Sequence, residues 1–146
     1  MESKGDGEYR SLGRHISHLS MEIRRYLQRE LDPYGIGPGQ FHFLICLYHR
    51  DGISQEELTD LLMVDKATTT RAVSRLEKSG YITRDRDETD KRRYRVRLTE
   101  KAFDLRPTLK QILRNWTSGM LEGFDENEIG VLFEFLERLE RNAEDL

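Results

Sequence analysis

The sequence predicts a mainly α-helical α+β fold in which long terminal helices flank a small β-hairpin. Apolar residues recur at helical spacing in six segments, the spacing changes to two between Tyr81 and Leu98, and turn residues separate the segments. A chain of 146 residues is expected to form one domain, or one small domain with an added oligomerisation segment.

The first two predicted helices are bounded by turn residues. Apolar residues in segment 12–31 follow a helical period that stops at the turn cluster of residues 32–35. Pro38 suits the first turn of a second helix, which ends at residues 51–52. Because the second helix is largely apolar, we expect it to be buried over much of its circumference.

Two short helices with a tight connection follow. Ser54 and Glu57 have the spacing of a capping box and predict a third helix that ends near Leu62. Asp65 suits the N-cap of a fourth helix, which ends at a glycine C-cap in residues 79–80. Together they predict a helix-turn-helix.

A β-hairpin with a charged tip is predicted next. Residues 81–84 and 94–98 alternate as strands do, and the polar residues 85–93 connect them. Side chains alternate across a strand, so one face of the second strand is expected to pack and the other to be basic. The packing residues are Tyr94, Val96 and Leu98, and the basic residues are Arg93, Arg95 and Arg97.

Two further helices complete the chain. Thr99 is expected to cap a fifth helix that Pro107 kinks, and Asp125 with Glu128 to cap a sixth. The first, fifth and sixth helices carry more apolar side chains than a small helix-turn-helix core requires. A second copy of the chain would cover them, as in obligate dimers. An intrachain bundle of the same three helices is the alternative.

Composition limits the classes of function. The longest apolar run, residues 43–48, is far shorter than the roughly 20 residues of a membrane span. Segment 1–9 lacks the apolar core of a signal peptide and the single cysteine excludes an intramolecular disulfide, so a cytoplasmic protein is expected. The sequence contains no phosphate loop, nucleophile elbow or zinc-protease motif, so neither an enzyme nor a cofactor is expected.

Positive charge is concentrated in the middle of the chain. The net charge is −3, yet residues 66–97 hold eleven basic and five acidic side chains. Such a local excess is typical of a surface that binds a polyanion, although an ordinary solvated face has the same composition.

The fourth helix is expected to suit the major groove of DNA. Its core-facing residues are Thr69, Ala72, Val73 and Leu76, and its other faces carry Ala67, Thr68, Thr70, Arg71, Ser74, Arg75 and Lys78. Short side chains let a helix sit deep in the groove, where hydroxyls bond base edges or phosphates and Arg binds guanine. A basic hairpin tip after a helix-turn-helix is the arrangement of a winged helix, whose wing follows the phosphates or enters the minor groove. A plain amphipathic helix and a solvated loop are the alternatives.

Two stretches resemble the MarR family of winged-helix transcriptional regulators. Residues 65–82 (DKATTTRAVSRLEKSGYI) resemble that family's recognition helix and following strand, and residues 85–102 resemble its wing and fifth helix. The order of elements matches over essentially the whole chain. The resemblance implies a homodimer whose terminal helices interlock and whose two winged helices bind a pseudo-palindromic operator, with repression as the expected output.

The resemblance also implies domain boundaries and contact residues. Dimerisation helices are expected in residues 1–35 and 100–146, and the DNA-binding domain in residues 36–99. Arg71 is expected in the major groove and Arg92 in the minor groove, with Asp90 orienting Arg92. The full set of expected DNA contacts is Lys66, Thr68, Thr70, Arg71, Ser74, Arg75, Asp90, Lys91, Arg92 and Arg93. A winged helix that binds protein rather than DNA is the alternative function.

Members of this family often release DNA when a small aromatic or phenolic acid, such as salicylate, binds between the winged helix and the dimerisation helices. The candidate ligand residues are Arg14, His15 and His18 on the first helix and Phe41, His42 and Tyr48 on the second, although core packing or solvation would also explain them. Cys46 lies in an apolar run, so peroxide sensing is not expected. His15, His18 and His42 are the only residues from which a metal site could be assembled, and no bound metal is expected.

Overall fold

The structure is a computed structural model that describes residues 11–146. Within these residues the chain forms six α-helices and one antiparallel hairpin, which confirms the predicted α+β winged helix-turn-helix. The bounds are α1 Leu12–Leu31, α2 Pro38–His49, α3 Gln55–Leu62, α4 Lys66–Lys78, β1 Ile82–Arg86, β2 Tyr94–Leu98, α5 Glu100–Met120 and α6 Glu126–Glu144. The expectations about segment 1–9, and about the first ten residues of the dimerisation segment 1–35, lie outside the described residues.

The predicted helix caps are present. Asp65 Oδ1 accepts a hydrogen bond from the Thr68 amide at 2.6 Å. At the start of α6, Asp125 and Glu128 each accept from the other's backbone amide, at 2.8 and 3.0 Å, and form a complete capping box. At α3 only half of the expected box forms. Ser54 Oγ accepts from the Glu57 amide at 3.1 Å, whereas the Glu57 carboxylate lies 3.9 Å from an arginine guanidinium of residue 50.

The chain divides after Leu109 into two compact units. The first unit, described from residue 11, contains α1 to α4, the hairpin and the start of α5; the second contains the rest of α5 and α6. α5 continues through Pro107 as one helix, and the kink expected there stays a prediction. In the first unit α2 packs against α4 and β2, and the four residues of α4 predicted to face the core are all buried.

The hairpin pairs Ile82 with Leu98 and Arg86 with Tyr94, so β1 runs two residues further than its alternation predicted. A third segment joins it. The Gly52 amide donates to the Val96 carbonyl at 3.0 Å, and the Val96 amide donates to the Ile53 carbonyl at 2.9 Å. β2 is therefore held on both sides, and sequence analysis missed this contact because so short a segment has no period.

The terminal helices expose large apolar side chains. Leu12, Ile16 and Leu19 of α1 are about half exposed, and α6 contains no buried residue at all. Among the helices of residues 11–146, none is both long and apolar enough to cross a bilayer.

Candidate nucleic-acid interface

α4 has one buried and one exposed side. The exposed residues are Lys66, Ala67, Thr70, Arg71, Ser74, Arg75 and Lys78, while Thr68 is half-buried. Hydrogen bonds from Thr68, helped by the nearby positive charge of Arg71, lower the pKa of Asp65, which caps the helix start. The exposed surface of α4 thus combines short side chains with basic ones, as the sequence predicted.

Two side chains on this surface are held by neighbours. Arg71 Nη2 lies 3.3 Å from Thr68 Oγ1, one turn earlier on α4. The Thr70 hydroxyl donates to the Lys66 carbonyl at 2.9 Å and accepts from Gln55 Nε2, at the start of α3, at 3.2 Å. Gln55 was not among the predicted site residues, because a contact between different helices leaves no local pattern in the sequence.

The β1–β2 hairpin, which we call the wing, has Asp90 at the centre of its tip. Asp90 Oδ1 accepts from the Arg92 amide at 3.1 Å and lies 3.5 Å from Arg92 Nε, while its Oδ2 lies 3.7 Å from Arg93 Nε. Arg93 also lies 3.5 Å from Glu56 of α3. The Arg92 side chain is 94% exposed, so it projects from the wing into solvent. Lys91 is exposed beside it.

The wing is anchored at its base by Asp87 and Arg95, which sequence analysis did not identify as a pair. Asp87 is buried and accepts from the amide and the hydroxyl of Thr89, at 2.9 and 2.8 Å. Arg95 Nε donates to Asp87 at 3.0 Å, and its Nη1 donates to the Gly52 carbonyl at 2.8 Å. Of Arg93, Arg95 and Arg97, the three residues predicted to form the basic face of β2, Arg95 thus uses its charge inside the protein.

The Thr89 hydrogen bonds, with the Arg95 charge, lower the pKa of Asp87 from 3.8 to about 2. Because the pKa is depressed in the folded state, the carboxylate stabilises the fold above pH 4, and this contribution disappears as the pH falls from about 4 to about 2. We expect Asp87→Asn to reduce the decline in urea midpoint between pH 4 and 2. Glu88→Gln, at an exposed position of the same tip, is the control. A decline as steep in Asp87→Asn as in the wild type would contradict this role.

A groove of about 280 Å³ separates α3 and α4 from the wing. Its basic and aromatic lining comprises Lys66, Arg84, Arg92, Arg93 and Tyr94. Tyr94 was predicted to pack in the core but is 40% exposed, because the start of β2 extends beyond the core. The guanidinium groups of Arg84 and Arg86 lie 5.7 and 5.9 Å from its ring centroid. Arg84 also pairs with Glu77 of α4 at 3.2 Å, which ties the wing to this helix.

A second opening, which we call the crevice, lies among α1, α2 and the connection between α3 and α4. It has a volume of about 520 Å³ and a mostly apolar lining. Two predicted ligand residues, Phe41 and His42, line it, with ring centroids 5.5 Å apart. Arg24 of α1 also lines the crevice and was missed, although it lies one helical turn before Leu27 on the same lining face.

The other predicted ligand residues lie elsewhere. Arg14, His15 and His18 are exposed on the first turns of α1 and do not line the crevice. The Tyr48 hydroxyl donates to the Ala102 carbonyl of α5, and the Arg106 guanidinium lies 5.3 Å from its ring centroid. Burial raises the pKa of Tyr48 to about 12, so its phenol is neutral and already has a partner. The structure therefore does not bring the six candidates together.

The described residues support neither a peroxide-sensing cysteine nor a metal site. Burial raises the pKa of the Cys46 thiol, which disfavours the reactive thiolate. Among residues 11–146 no group of three His, Cys, Asp or Glu side chains has an arrangement that suits a metal ion.

Comparisons with known proteins agree with this geometry. The model of the MarR family matches residues 36–94. The transcriptional regulator BilQ of Clostridioides difficile is 31% identical, over 83% of this chain and 82% of its own. These relatives are transcriptional regulators rather than enzymes.

Two solved structures extend the likeness. A MarR transcriptional regulator from Methanosarcina mazei is 42% identical, with a TM-score of 0.87 over 92% of this chain and 96% of its own. A MarR-family regulator from Listeria monocytogenes, solved in complex with 26mer DNA, is 29% identical, with a TM-score of 0.82 over 93% of this chain and 91% of its own.

Proposed function

Because the chain belongs to the MarR family of transcriptional regulators, we propose that it is a repressor that binds a pseudo-palindromic DNA operator as a homodimer. The observation that carries this proposal is that one face of α4 and the wing tip both expose basic side chains. Short polar side chains accompany them on α4. The related regulator solved with DNA has the same fold, which supports the proposal.

We assign dimerisation to residues 1–35 and 100–146, and DNA binding to residues 36–99. The half-exposed apolar residues of α1 and α6 support the assignment, because a stable monomer rarely exposes so many. α4 would enter the major groove, and the two copies of α4 in a dimer would bind half-sites about one helical turn apart.

A salt titration tests DNA binding directly. A winged helix that neutralises about six to ten phosphates should lose roughly 10³- to 10⁵-fold in DNA affinity between 50 and 200 mM salt. A protein-binding module would show no such dependence, and weak, salt-insensitive association with DNA would contradict the proposal.

Arg92→Ala is expected to weaken discrimination by groove width. The narrow minor groove of A·T-rich DNA has a strongly negative potential that attracts an inserted arginine, and the side chain of Arg92 is 94% exposed at the wing tip. The preference for A·T-rich over G·C-rich sequence under the wing should therefore shrink in this variant. Arg97→Ala is the matched control, because Arg97 lies on the outer strand face beside Asp85. A preference that survives in Arg92→Ala contradicts the assignment.

We further propose that an aromatic acid such as salicylate binds in the crevice and releases DNA. Arg24 and His42 offer a positive charge and a hydrogen-bond donor beside an apolar wall that includes Phe41. A ligand changes DNA affinity only by the difference between its own affinities for the DNA-binding state and the DNA-released state of the protein. A tenfold loss of DNA affinity requires a difference of about 1.4 kcal/mol. One charge-assisted hydrogen bond made in only one state supplies that difference.

Calorimetry with free protein and with the operator complex tests this effector site. Salicylate should bind the free protein more tightly, and operator should weaken salicylate binding by the factor by which salicylate weakens operator binding. Arg24→Gln should reduce salicylate affinity, whereas Arg14→Gln, outside the crevice, should not. Equal salicylate affinity in both forms would exclude this site as the regulatory one.

A further inference from the structure

The hydrogen bonds of Thr70 limit which bases it recognises. We propose that Thr70 acts only as a hydrogen-bond acceptor and therefore selects an amino base, adenine or cytosine, over a keto base, guanine or thymine, at the position it contacts. This inference rests on the proposed DNA-binding function and adds a rule of base selection to it.

The argument begins with the single proton of the Thr70 hydroxyl. A threonine hydroxyl has one proton to donate and two lone pairs to accept. The proton is used within α4, because Oγ1 donates to the Lys66 carbonyl at 2.9 Å. One lone pair accepts from Gln55 Nε2 at 3.2 Å, which leaves one lone pair on an exposed side chain.

The orientation of Gln55 does not alter this result. Gln55 Oε1 is buried and has no hydrogen-bond partner among the described residues, so the amide nitrogen, which donates to Thr70, is the only end of the side chain that forms a hydrogen bond there. If the amide turned over, its oxygen would face Thr70, and the hydroxyl would donate to that oxygen or to Lys66. In both orientations the proton stays within the protein, and the exposed position of Oγ1 remains an acceptor.

The edges of the bases supply the complement. In the major groove adenine N6 and cytosine N4 carry donor amino groups, whereas thymine O4 and guanine O6 are acceptors. An acceptor on one strand therefore separates A·T and C·G pairs from T·A and G·C pairs. This grouping differs from the one expected for Arg71, whose guanidinium only donates and prefers guanine.

The test begins with selection from a random DNA pool by the wild type and by Thr70→Val, which removes the hydroxyl and keeps the shape. One position of each half-site should lose its amino-over-keto preference in the variant, while the rest of the consensus remains. Thr83→Val makes the same change at an exposed wing position and should alter no preference. Thr70→Ser keeps the hydroxyl and should restore the preference.

At that position the amino group is then removed from the DNA, by replacing adenine with purine or cytosine with 2-pyrimidinone. The wild type should lose about 3- to 10-fold in affinity and Thr70→Val should lose nothing. Equal losses in wild type and Thr70→Val, or a consensus unchanged by Thr70→Val, would overturn the inference while leaving the DNA-binding function intact. A pool without any consensus would overturn both.

Discussion

Arg71→Ala is expected to weaken operator binding about 5- to 150-fold while leaving the protein folded. Arg71 is exposed in the middle of the polar surface of α4, and its guanidinium is held toward the helix start by Thr68. A direct arginine contact to guanine is worth about 1–3 kcal/mol, and its loss relaxes preference at one base pair. Alanine is a strong helix former, so the helix itself should not suffer.

Fluorescence anisotropy with the selected operator measures this effect, and circular dichroism checks folding. Arg97→Ala removes the same charge from the outer face of the wing and should change affinity far less. If the two variants bind operator equally well at moderate salt, then Arg71 does not contact a base.

Phe133→Asp is expected to produce a monomer that binds operator about 10³-fold more weakly. Phe133 is 47% exposed on α6, which has no buried residue, so a charge there disrupts a dimer interface without disturbing the core of the first unit. A monomer contacts one half-site, and its affinity should fall from the specific range toward the non-specific one.

Light scattering gives the mass of the variant, and the same anisotropy assay gives its affinity. Asn142→Asp adds the same charge to α6 at an exposed polar position and should remain dimeric. If the wild-type protein has the mass of one chain at micromolar concentration, then the exposed apolar residues of α1 and α6 do not form a dimer interface, and an intrachain bundle is the alternative.

The elements that sequence analysis placed correctly depend on local patterns. Helix caps at Asp65 and Asp125 join residues three apart, and the buried side of α4 repeats with the helical period. Such signals are contained within one helix, so a single sequence shows them.

The features it missed depend on contacts between elements. Arg95 bonds a carbonyl 43 residues away, and Gln55 meets Thr70 from a different helix. Whether a charged residue of a hairpin faces solvent or anchors the wing depends on such partners, which alternation alone does not reveal. Tyr48 was placed at the ligand site for the same reason, because its hydrogen bond to α5 has no local pattern in the sequence.

Selection of bound DNA from a random pool tests the central claim most directly. A homodimeric winged-helix repressor predicts a pseudo-palindromic consensus whose half-sites are centred about one helical turn apart, and whose preference at one base pair of each half-site relaxes in the Arg71→Ala variant. Recovery of DNA without any enriched sequence, from a protein that is folded and dimeric, would contradict the claim.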